Sequence, residues 1–157
     1  VKLTGEFSFR AVLPDGEVRE WTATNTPTHE GMLEMLNFLM LQGPARTWDI
    51  GFVDIAGFTT GYAQTDTEAS HPGWVATGHS GQVWDSTVAT VAGDNLSASM
   101  VMTHTFEVPF GPNDSRGVYV FDTFGVDVLF ATADYNQGPQ LIPAGTEMTT
   151  IYTVTFT

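Results

Sequence analysis

A two-residue alternation begins this chain and returns later in it, and no other feature limits the possible fold so strongly. Leu3, Phe7, Phe9, Ala11 and Leu13 fall on one face of an extended segment, with Lys2, Thr4, Glu6, Ser8 and Arg10 on the other. Successive side chains of a strand point to opposite faces, so the pattern predicts a half-buried strand. Pro14-Asp15-Gly16 follows. Proline presets φ, the aspartate side chain bonds nearby backbone, and glycine accepts positive φ. A turn into a second strand over Val18 to Asn25 is therefore expected, making a hairpin.

Further strands follow from the same reasoning. Trp48 to Ile55 is apolar on both faces, as befits a central strand: Trp48, Ile50 and Phe52 oppose Val53 and Ile55. Ala98, Met100, Met102, Phe106 and Val108 alternate with Ser97, Ser99, Thr103, Thr105 and Glu107 before the turn residues Gly111-Pro112-Asn113-Asp114. Val118 to Phe121 and Phe124 to Ala133 predict two more strands. A last one runs from Met148 to Phe156, with Met148, Tyr152, Val154 and Phe156 opposite Thr149, Thr153 and Thr155.

One helix is expected, over about residues 27–42. Thr26 or Thr28 caps it, Pro27 fits its first turn, and Gly43-Pro44 stops it. Met32, Met35, Leu36 and Leu39 lie at helical spacing, widened by Leu33, Met40 and Leu41, a face that belongs against a sheet. The fold class expected is mainly β, an antiparallel β-sandwich or flattened barrel with one packed α-helix, as one domain over residues 1–157.

Composition narrows the function. There is no cysteine, so disulfides, thiolate metal sites and a cysteine nucleophile are excluded. No run reaches the roughly 20 apolar residues of a membrane helix, and the first nine residues do not have the pattern of a secretory leader. Eighteen acidic residues stand against five basic ones, for a net charge of −13. Such a surface repels a phosphate backbone, so neither nucleic acid nor membrane is an expected partner.

Residues 59–81 lose all periodicity in favour of Gly, Thr, Ser, His and Pro, the composition of a long functional loop. His71 and His79 share it with Asp66 and Glu68, types that bind metals or exchange protons. Their intervals match no metal-ligand pattern. Asp66 and Glu68, or the pairs Asp94-Asn95 and Asn113-Asp114, carry oxygen ligands suited to calcium, yet turn formation accounts for the pairs equally well. No phosphate loop or nucleophile elbow occurs, and no catalytic residue, metal or cofactor is expected. His104 sits between Met102 and Phe106 on an apolar face and reads as a core histidine. Trp74, after His71-Pro72-Gly73, either anchors a neighbouring subunit or folds back to pin the loop.

Asp66-Thr67-Glu68-Ala69-Ser70-His71-Pro72-Gly73-Trp74 resembles the D-T-x-A-S-H-x-G-W segment of small structural proteins of tailed bacteriophages. There it follows a W-x-I-G strand, matched here by Trp48-Asp49-Ile50-Gly51. The helix start Thr28-His29-Glu30-Gly31-Met32, the strand Gly117-Val118-Tyr119-Val120 and the ending Ala144-Gly145-Thr146-Glu147-Met148 with Tyr152-Thr153-Val154 also fit, with Glu147 where aspartate is common. The resemblance implies a non-enzymatic capsid decoration or cement protein on the outer capsid surface of a virion. Its implied partners are the major capsid protein and further copies of itself, as a homo-oligomer. Asp66, Glu68, His71 and Trp74 are the residues expected to shape that loop or meet a neighbour. A tail or baseplate component and a carbohydrate- or receptor-binding module are the alternative readings.

Overall fold

The computed structural model describes residues 2–25, 28, 32, 48–54, 74–75, 85–92, 95–106, 115–122 and 128–156. The first hairpin forms as its sequence dictates. β1 (Leu3–Val12) and β2 (Val18–Asn25) pair antiparallel, with Phe9 opposite Trp21 and Phe7 opposite Ala23. Gly16 sits at φ 86°, a conformation that side-chain-bearing residues resist. Asp15 accepts the Glu17 amide at 2.9 Å, and the Leu13 amide donates to the Glu17 carbonyl at 2.8 Å.

Two antiparallel sheets follow. β3 (Trp48–Asp54), β4 (Trp74–Val75), β7 (Ser115–Asp122) and β8 (Val128–Asp134) form a four-stranded sheet in the order β4-β3-β7-β8. β5 (Asp85–Ala92), β6 (Asn95–Thr105) and β9 (Glu147–Phe156) join the hairpin in a five-stranded sheet, order β2-β1-β9-β6-β5. The final strand thus lies in the middle, paired to β1 on one side and β6 on the other. β3 is interior, as its apolar faces require.

The apolar faces of the two sheets share one core. Phe9 of the five-stranded sheet stacks on Trp21 at 5.4 Å and meets Tyr135 edge-on at 5.0 Å and Phe52 of the opposing sheet at 6.3 Å. Phe7 stacks on Tyr152 at 4.0 Å, and Tyr152 in turn meets Phe130 edge-on at 6.2 Å. Burying each such side chain contributes about 1.5–3 kcal/mol, so this aromatic seam is the principal bond between the sheets. Val53 and Leu129 are buried as well, at 0% and 1% exposure, although they lie outside the shared core. The second face of the four-stranded sheet is therefore also covered at those positions.

One side of the molecule is closed by hydrogen bonds. β2 and the residue after β8 form a bridge, Ala23 to Tyr135. The Thr22 carbonyl accepts the Asn136 amide at 2.8 Å, and the Thr22 amide donates to Gln137 Oε1 at 3.0 Å. That corner gives the two sheets a barrel-like seam. β8 carries a bulge: Val120 faces Ala131 and Phe121 faces Leu129, leaving Phe130 over. The freed carbonyls are used, because Thr28 donates its amide to Phe130 at 3.0 Å and its hydroxyl to Leu129 at 2.5 Å. Met32 donates to the Thr28 carbonyl at 2.9 Å, one helical turn, and packs partly against the core. The remainder of the helix expected over 27–42 lies outside the described residues.

Candidate functional site

Of the residues expected to carry function, Asp66, Glu68 and His71 lie outside the described residues, as does His79. Trp74 does not. It begins β4, where Trp74 pairs with Val53 and Val75 with Phe52. The segment with loop composition therefore re-enters the sheet at Trp74 and becomes its edge strand beside β3. Asn95 opens β6, paired with Ala92 at the end of β5, while Asp94, Asn113 and Asp114 lie outside the described residues. Among the described residues no three His, Cys, Asp or Glu side chains gather in a way that could hold a metal.

His104 occupies the position its alternation predicts, between Met102 and Phe106 on β6. It is half-buried, and its ring meets Phe106 edge-on at 4.6 Å.

Two buried polar nodes were not legible beforehand. Ser115 is fully buried; its hydroxyl lies 2.9 Å from the Tyr135 hydroxyl and 3.3 Å from the carbonyls of Val53 and Gly117. Its backbone exchanges two hydrogen bonds with Gln140, at 2.9 and 2.7 Å. Those partners are a phenol, carbonyls and an amide, so Ser115 ties β3, β7 and the 135–146 connection together. The second node is at the other end of β1. Tyr152 is buried, and burial pushes its phenol above the ordinary value of 10.0, while the neighbouring Asn25 side chain draws it slightly back. Gly5 leaves the space that these two side chains fill.

The 135–146 connection carries the chain from one sheet to the other. Phe106 donates to the Thr146 carbonyl at 2.9 Å and accepts from Gly145 at 2.6 Å, while Ile142 is buried. Leu141 beside it is 60% exposed.

The outer face of the five-stranded sheet is built from described strands. Val101 and Ile151 face each other across β6 and β9, at 44% and 37% exposure. Ser99 and Thr153 hydrogen-bond at 2.7 Å on one side of them, and Thr103 and Thr149 at 3.3 Å on the other. The charged residues at outward register positions are Glu6 and Arg10 on β1, Glu20 on β2 and Glu147 on β9, and Asp85 of β5 lies in register with Ser99. Arg10 and Glu20 approach to 3.8 Å while both remain largely exposed, a pairing worth little. Four acids and one base are spread over the five strands of this face, and none of them lies in the row of Ile151 and Val101. The sequence signal for it was present but inverted: strand parity puts Ile151 outside and Thr150 inside, against hydrophobicity.

No known protein-family model matches the sequence, and comparison with curated proteins and with solved structures finds no significant relative.

Proposed function

We propose that this chain is a non-enzymatic structural protein of a tailed-phage particle that decorates the outer surface of the major-capsid lattice. In this reading the two sheets form a β-sandwich, and the segment over about residues 27–42 packs on it as a helix. The observation that supports the proposal is the position of Trp74, the last residue of the D-T-x-A-S-H-x-G-W motif. Trp74 pairs with Val53 at the edge of the four-stranded sheet, which ties the end of that motif to a strand. Loops held by a scaffold are where recognition concentrates. The net charge of −13 agrees with a position outside the shell, away from packaged nucleic acid.

The test is cosedimentation of the purified protein with phage capsids stripped of accessory proteins, with isolated tails run in parallel. Saturable binding to capsids, weakened by Trp74→Ala in a variant that still folds, supports decoration. Binding to tails alone moves the protein to the tail or baseplate. Binding to neither defeats the virion reading and turns attention to polysaccharides, where tryptophan fluorescence reports contact.

A further inference from the structure

We infer that the outer face of the five-stranded sheet is a self-complementary surface on which a second copy of this chain docks face to face, about a two-fold axis along the row Ser8, Ile151, Val101. This inference is independent of the capsid reading.

The argument begins with charge. Two chains of −13 repel each other, so they associate only where each presents a neutral or complementary surface. The central rows of this face satisfy that condition. In register across β1, β9 and β6, Ser8, Ile151 and Val101 form one row. The row on one side is Glu6, Thr153 and Ser99, with Asp85 of β5 in register beyond Ser99, and the row on the other is Arg10, Thr149 and Thr103.

An isologous interface places the same patch on both partners. A two-fold axis lying along the central row sets each residue opposite the one at the same height on the far side of that row. Ile151 and Val101 then meet their own counterparts. Thr153 faces Thr149, and Ser99 faces Thr103. Glu6 of each copy faces Arg10 of the other, so the acid and the base that flank the row form two intermolecular pairs. Glu20, level with Arg10 on β2, faces Thr24, which is level with Glu6, so no acid opposes an acid across β2, β1, β9 and β6 in these rows.

Size agrees with this. Strands of eight to eleven residues at about 3.4 Å per residue, five abreast at about 4.8 Å, give a footprint on the order of 700 Å². A standard interface needs roughly 800 Å² from each partner. The exposed Val101 and Ile151 supply its apolar centre, and the hydroxyls around them supply polar contacts.

Sedimentation velocity over a concentration series tests the inference on the full chain. The wild type is expected at the mass of two chains. Glu6→Arg and Arg10→Glu each set like charges across the axis and should weaken association about tenfold or more. The double exchange Glu6→Arg/Arg10→Glu restores opposite charges and should recover most of that loss. Val101→Lys/Ile151→Lys should give the mass of one chain with an unchanged far-ultraviolet circular dichroism spectrum. A single-chain mass at every concentration overturns the inference, as does a closed assembly of three or more copies. So does a dimer indifferent to both single reversals, or a double exchange weaker than either. Cosedimentation of the lysine variant with capsids keeps the two ideas apart, since retained capsid binding by a single chain leaves decoration standing whatever becomes of the dimer.

Discussion

Replacing Gly5 with alanine is the sharpest single test of the packing between the sheets. In an unstrained strand the exchange stabilises by about 0.4–1 kcal/mol, because alanine has less freedom to lose on folding. Here the space is taken. A Cβ on residue 5 would overlap Asn25 Oδ1 and lie 2.5 Å from the Tyr152 hydroxyl and 2.8 Å from its Cε2. Tyr152 has nowhere to go, since Phe7 stacks on it at 4.0 Å and Phe130 closes its other side. Overpacking of this kind costs about 1–3 kcal/mol. Net of the entropic gain, Gly5→Ala should lose about 1–2 kcal/mol, or roughly 2–8 °C in Tm for a chain of this length. Urea denaturation followed by tryptophan fluorescence, checked by calorimetry, measures it. Ser8→Ala on the exposed face is the control and should stay within about 0.5 kcal/mol. A Gly5→Ala protein as stable as the wild type refutes the packing described for this end of the core.

Other outcomes follow from the same geometry. Above pH 10 the phenol of Tyr152 ionises in the unfolded chain while burial keeps it protonated in the folded one, so the folded state holds more protons and stability falls as pH rises. Tyr152→Phe removes up to about 1.4 kcal/mol per pH unit of that fall, and equal slopes in the two proteins above pH 10 count against it. Phe9→Ala should cost about 3–5 kcal/mol in denaturant melts, because Phe9 joins Trp21, Tyr135 and Phe52; a loss under 1 kcal/mol contradicts that role. At Gly16, with φ 86° and open space around it, Gly16→Asn should be milder than Gly16→Val, since asparagine tolerates the left-handed region. The reverse order would mean that the turn takes another form.

The half-buried strands were the legible part of this fold. Leu3, Phe7, Phe9, Ala11 and Leu13 are all buried, and the Pro14-Asp15-Gly16 turn and the span of β2 are as the alternation predicts. β9 was also visible, because a period of two with one wet face leaves little choice of register, and β3 was visible as a run apolar on both faces. β5 was not: Asp85 to Ala92 mixes small apolar and hydroxyl residues without alternation, and its register with β6 is broken between Asp85 and Thr90. Trp74-Val75 was hidden because two residues have no period. The polar corner of Thr22, Asn136 and Gln137 and the Ser115 node depend on partners 20 to 115 positions away, which no local pattern records. Of the four expected loop residues, only Trp74 has a described backbone position, at the edge of the four-stranded sheet.

The central place of β9 also sets the order in which this chain can fold. β1 with β2, and β5 with β6, are local hairpins that form within microseconds. Neither can join the other until the last strand arrives to zip both, in pairings such as Phe7 with Tyr152 that close loops of nearly the full chain. Such high contact order places folding in the millisecond-to-second range. Until then the inner edges of β1 and β6 stay unpaired and prone to aggregation, so synthesis interrupted before residue 147 leaves two ribbons that have no means of becoming one sheet.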